Sequence, residues 1–176
     1  MFIAQPRSKS DILERARHIR KVFELDSAIY VPVDEIIERI DSTIDETFQW
    51  EICDDCYIPA DVEAFYDPQQ NFMCISNKTY VDATNGNGRA RFTLAHELGH
   101  YILGVDKVIL PRSSIKNLKI LAFQNPEWQA NTFASLFLAL PDIIRNFHNA
   151  FEVSEKCGLS YQASDIAFKN AKKANM

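Results

Sequence analysis

Three things are scarce in this chain, and each scarcity removes a class of function. No stretch of it approaches the roughly 18 uninterrupted apolar residues that cross a bilayer, so no membrane role is expected. The apolar start Met1-Phe2-Ile3-Ala4 is too short for a secretory leader and runs straight into Gln5-Pro6-Arg7, which makes the cytoplasm the expected location. Positive charge is scarce too: 19 Lys and Arg against 24 Asp and Glu leave a net charge of −5. A global basic field for nucleic acid is therefore missing, and direct nucleic-acid binding is not expected.

The four cysteines, Cys53, Cys56, Cys74 and Cys157, are too few for a disulfide framework in a chain of 176 residues. Cys53-Asp54-Asp55-Cys56 has knuckle spacing but no second pair to complete a structural zinc site, and it reads as two thiols flanking an acidic turn. Asn85-Gly86-Asn87-Gly88 lacks the preceding strand and the following Lys-Ser/Thr of a phosphate loop, and reads as a turn.

What is present begins with Arg91-Phe92-Thr93-Leu94-Ala95-His96-Glu97-Leu98-Gly99-His100-Tyr101. Phe92, Leu94, Ala95, Leu98, Ile102 and Leu103 have the apolar distribution of a buried helix, and Gly104 is a suitable stop. Four residues are just over one helical turn, so His96 and His100 project from one face and can share a metal ion, with Glu97 beside them. Two imidazoles holding Zn²⁺ and a glutamate acting as general base is the chemistry that such a His-Glu-x-x-His helix supports.

The length suits one domain, residues 1–176, with a core of ordinary size. Apolar residues at helical spacing from Ser10 to Glu24, with Ser8 or Ser10 as N-cap, predict an amphipathic helix on which His18 is a surface residue. A shorter helix follows Pro32 and ends near Asp41, so scaffold helices occupy about 8–41. Thr47 to Ile52 alternates with period two, and Val62–Tyr66 and Asn71–Ser76 bracket Asp67-Pro68-Gln69-Gln70 as a hairpin. These strands, within about 47–76, predict a small antiparallel sheet in an α+β domain, with 71–76 as a candidate edge for an extended substrate. Metal helices are expected over about 88–104 and 126–140 and C-terminal helices over about 142–173. Arg89 and Arg91 read as surface charges or partners of nearby carboxylates.

A catalytic zinc takes three protein ligands and leaves a fourth position open. Asp106 stands six residues after His100, although the glycine usual in such a spacing falls at 104 rather than 103. Glu127 opens a second helix started by Asn125 and Pro126, and Ala130, Asn131 and Ala134 lie on its face. Small residues there let a neighbouring helix come close, and Asn131 could hydrogen-bond a ligand. Both candidates stay open on this reasoning.

The motif at 91–100, followed by Glu127-x-x-Ala130-Asn131-x-Phe133-Ala134 and a Leu-x-Leu-Pro ending at Pro141, resembles the ImmA/IrrE family of metallopeptidases over about residues 70–141. Ala139 departs from the methionine many members carry before that proline. The resemblance implies a zincin-like fold, Zn²⁺ on His96, His100 and Glu127, and Glu97 as catalytic base. It also implies cleavage of a helix-turn-helix repressor encoded nearby, an anti-repressor role found in bacteria, phages and mobile elements. Mn²⁺ or Fe²⁺ suit the same donors.

On this reading the metal acidifies a water and Glu97 takes its proton as the water attacks a peptide carbonyl, with Tyr66, Tyr80, Tyr101 or His148 as candidate oxyanion donors. The alternative function is a metal-bound regulatory or toxin-like protein that acts by binding. The segment from Phe151 to Phe168 has a helix, glycine turn and helix, but its second helix lacks a basic N-terminal face for DNA, and the resemblance implies that the pattern is part of the peptidase domain.

Overall fold

The computed structural model describes residues 2–54, 58–59, 61–104, 108–109 and 121–173. Asp106 and Cys56, both considered above, lie outside the described residues. In chain order, β1 (Phe2–Ile3) is followed by α1 (Lys9–Val22), α2 (Val33–Glu38), α3 (Ile40–Thr43), β2 (Gln49–Cys53), β3 (Ala64–Asp67) and β4 (Phe72–Ser76). Then come α4 (Asn77–Thr84), α5 (Gly88–Leu103), β5 (Val108–Ile109), α6 (Pro126–Leu138), α7 (Pro141–Ile144), α8 (Ala150–Cys157) and α9 (Tyr161–Lys173). None of the described helices is long and apolar enough to cross a membrane.

The helix starts follow from side-chain chemistry. Ser8 caps α1 through a reciprocal pair, its hydroxyl accepting the Asp11 N–H while the Asp11 carboxylate accepts the Ser8 N–H. Asn87 accepts the N–H groups of Arg89 and Ala90 at the start of α5. Asn125 does the same for Glu127 and Trp128 ahead of Pro126 at the first turn of α6. Gly104, at φ 61°, ends α5. Helix α4 was not legible in the sequence, where its β-branched Thr79, Val81 and Thr84 mask the helical period; Ser76 caps it by accepting the Thr79 N–H.

The α+β class holds, and the three-stranded sheet has the order β2-β4-β3. Strands β3 and β4 form the expected antiparallel hairpin, but β2 pairs with β4 in parallel, so the sheet is mixed rather than antiparallel. Period-two alternation specifies a half-buried strand and says nothing about its direction. The pairing also overturns 71–76 as a substrate edge: β4 is central and hydrogen-bonded on both sides, and β3 is the outer strand. Met73 and Ile75 point from β4 into a core shared with Leu94 and Leu98 of α5 and with Phe133 and Phe137 of α6.

Two further sequence expectations are corrected. Cys53 is disulfide-bonded to Cys74 rather than being a free thiol at a turn. The parallel register sets Cys53 beside Ser76 and Glu51 beside Cys74, so the two cysteines share one sheet face on a diagonal with Cα atoms 6.1 Å apart, a proximity that a sequence separation of 21 conceals. Arg91 is not a surface charge. It is fully buried, stacks over the Tyr30 ring at 3.8 Å and donates to the carbonyls of Val31 (2.8 Å), Gly158 (2.9 Å) and Cys157 (3.3 Å). That guanidinium ties the start of α5 to the α8–α9 turn. Arg89, by contrast, pairs with Glu63 at the surface, as expected.

Candidate active site

Helices α5 and α6 cross at Gly99. A Cβ there would lie 3.1 Å from Phe133 Cδ1 and 3.2 Å from both the Cα and the carbonyl oxygen of Ala130, so the two backbones meet with no side chain between them. Ala130 and Ala134 are fully buried at this crossing. The close approach sets the N-terminal turn of α6 over His96 and His100, and Glu127 reaches both.

Four donor atoms converge as a result. His96 Nε2 lies 3.0 Å from His100 Nε2 and 3.2 Å from Glu127 Oε2, while His100 Nε2 lies 3.4 Å from Glu127 Oε1. Ligands about 2.1 Å from a tetrahedral zinc stand about 3.4 Å from one another, so these separations approach the edges of a zinc coordination shell. His96, His100 and Glu127 form a group that could hold a metal ion among the described residues. The histidine side chains are mostly buried, at 17% and 13% exposure, and that of Glu127 is 64% exposed, which leaves one side open to water and substrate.

The surroundings suit metal ligation. Asn131, one turn after Glu127 on α6, sets its Oδ1 3.0 Å from His96 Nδ1. With that oxygen accepting, Nδ1 carries the proton and Nε2 keeps its lone pair toward the other donors. Burial, and then the neighbouring His96, hold the His100 pKa well below the ordinary imidazole value against the opposing pull of Glu127, so His100 stays neutral. A neutral imidazole is the form that binds metal.

Glu97 faces the sheet side of the triad. One of its oxygens accepts the backbone N–H of Tyr66 at 2.9 Å. In the β3–β4 ladder Phe65 and Asp67 pair with Cys74 and Phe72, and the Ser76 N–H donates to the Glu63 carbonyl, so Ala64 and Tyr66 turn their amide groups away from β4 toward α5. Burial pushes the Glu97 pKa up to about 7; the Tyr66 N–H pulls it down and the nearby Glu127 charge raises it further. A carboxyl poised near neutrality can both take and return a proton.

Three of the four oxyanion candidates are engaged elsewhere. Tyr66 Oη donates to Asn71 at 2.8 Å, Tyr101 Oη to Asp45 at 3.3 Å, and Tyr80 Oη to Glu38. His148 is exposed, as is His18. Sequence reasoning did not find the Tyr66 backbone contact with Glu97. Only strand pairing reveals which amide groups face the helix, so no local residue signal carries it.

These features define the class: an α+β zincin-like domain with a His, His, Glu set able to hold a metal ion and a raised carboxyl beside it. Residues 60–164 match the Peptidase_M78 family, the IrrE N-terminal-like domain, and the chain belongs to that family of metallopeptidases. No curated protein matches the chain.

Proposed function

We propose that this protein is a zinc-dependent endopeptidase that cleaves a helix-turn-helix transcriptional repressor in the cytoplasm, with His96, His100 and Glu127 holding the metal and Glu97 as general base. The observation that carries the peptidase reading is the convergence of three side chains able to hold a metal ion, from helices 23 or more positions apart in sequence, beside a carboxyl with its pKa near 7. The repressor substrate rests on the family resemblance.

When bound, a divalent metal supplies Lewis acidity, lowering the pKa of a water and polarising the scissile carbonyl. Asn131 orients the His96 ring, and His100 remains neutral in its buried setting. Glu97 accepts the proton released as water attacks and delivers it to the leaving amine. Strand β3, rather than β4, presents outward-turned backbone groups at Ala64 and Tyr66 to which an extended polypeptide can pair, the Tyr66 N–H being shared with Glu97.

The test is elemental analysis of wild type and Glu127→Ala purified side by side with no metal added, followed by incubation of each with the repressor encoded next to the gene. We expect about one zinc per wild-type chain, sharply less in Glu127→Ala, and a single cut in the repressor that Glu97→Gln abolishes while retaining zinc. A Glu127→Ala protein with undiminished zinc overturns the ligand set. A cut that survives Glu97→Gln overturns the role of Glu97.

A further inference from the structure

A cleft of about 890 Å³ opens between α5, α6 and α9, beside the metal triad and separate from it. Its size falls within the roughly 300–1,000 Å³ of ordinary ligand clefts. Its walls are largely apolar: Phe92 from α5, Trp128, Leu136 and Ala139 from α6, and Ala163 and Ile166 from α9. Ile166 is 53% exposed, so the chain keeps a large aliphatic side chain in water at the lip of an apolar trough. The charged groups lining it are Lys9 and the Arg89–Glu63 pair, in which the two charges offset each other.

Two shared features join the cleft to the site. Asn131 lines it and also hydrogen-bonds His96. Strand β3 leads into it: the Tyr66 N–H meets Glu97, and Glu63, three residues earlier, accepts a hydrogen bond from Thr93 Oγ1 at 2.8 Å, one turn earlier on α5. Strand and helix therefore run side by side from the general base to the mouth of the cleft. Three strand residues span about 10 Å. A substrate following the β3 edge with its scissile carbonyl at the triad thus brings side chains within about three residues of the cut to the apolar walls.

Resting on the peptidase reading, we propose that this cleft is the specificity pocket of the enzyme, taking large apolar side chains of the polypeptide substrate on one side of the scissile bond. Phe92, Leu136 and Ile166 provide the contact surface, and Ala139 and Ala163 leave the room. Helix α9 thereby acquires a role in substrate selection, while its small face, Ser164, Ala167 and Ala171, is packed into the domain.

The probe is a mixture of synthetic decapeptides with randomised flanks, incubated with the zinc-loaded full chain and read by mass spectrometry of the cut ends. Wild type should enrich aliphatic or aromatic residues within three positions on one side only. Ile166→Asp, at an exposed position that tolerates a charge, and Ala163→Trp, which fills the trough, should each lower kcat/KM for those peptides about tenfold, the effect of losing burial of one apolar side chain. The loss should fall on KM, with zinc content unaltered. An apolar preference unchanged in both variants overturns the proposal, as does wild-type cleavage with no such preference. If zinc-loaded wild type cuts neither these peptides nor the repressor, the peptidase reading fails separately. Fluorescence anisotropy of the same peptides on Glu97→Gln protein then decides: binding that depends on apolar residues and weakens about tenfold with Ile166→Asp supports the pocket, and its absence overturns it.

Discussion

Glu97 is charged where the fold makes charge costly, and replacing it should stabilise the metal-free protein in a pH-dependent way. Its carboxyl is pushed from 4.5 up to about 7, chiefly by burial. At about 1.4 kcal/mol per pKa unit, the interval corresponds to about 3 kcal/mol. The sign follows from proton binding. Between pH 4.5 and 7 the folded chain holds a proton on Glu97 that the unfolded chain has released, so this group's contribution is complete below the unfolded value and is lost as pH rises through the folded one. Glu97→Gln removes the charge while leaving an oxygen to accept the Tyr66 N–H. In chelator-treated protein, urea unfolding should show the variant close to wild type at about pH 4.5 and about 3 kcal/mol more stable at about pH 8. In a chain of this size that is a rise of roughly 6–12 °C in Tm. Restoring zinc should narrow the gap, because a cation beside the carboxylate offsets the cost of burying it. A stability difference that stays flat between pH 4.5 and 8, or a wild type more stable than the variant at pH 8 without metal, would refute the argument.

Other consequences follow from the same geometry. Gly99→Val should force α5 and α6 apart at their contact with Ala130 and weaken zinc binding about tenfold or more in a chelator competition, with a folding cost of about 1–3 kcal/mol. Asn131→Ala, which frees His96 Nδ1, should lower zinc affinity about 10- to 100-fold with little change in the circular dichroism spectrum. Arg91→Met should cost about 3 kcal/mol or more in urea unfolding, since it leaves the buried Val31 and Cys157 carbonyls without this donor, and its far-UV signal before the transition should match wild type. Acidification should release the metal as protons compete for its ligands, with zinc loss measured by dialysis and elemental analysis and opposed by higher total zinc.

Features that depend on residues within a turn or two of each other are legible along the chain. The spacing of His96 and His100 puts them on one helical face whatever the rest of the fold does, and Asn125 caps the second helix because a cap needs only its own next three residues. The small residues at 130 and 134 likewise announced that another helix would approach. Tertiary structure alone decided which partner came. Gly99 meets Ala130, and that crossing lays Glu127 against both histidines, a proximity that spacing along the chain does not show. It also decided that β4 lies inside the sheet and β3 at its edge, that Tyr66 offers its amide to Glu97, that Arg91 is sequestered under Tyr30, and that Cys53 meets Cys74. Each of these is set by how strands pair and helices cross over long sequence separations. Hydrophobic period and capping residues record which surfaces will be buried, but leave open what those surfaces are buried against.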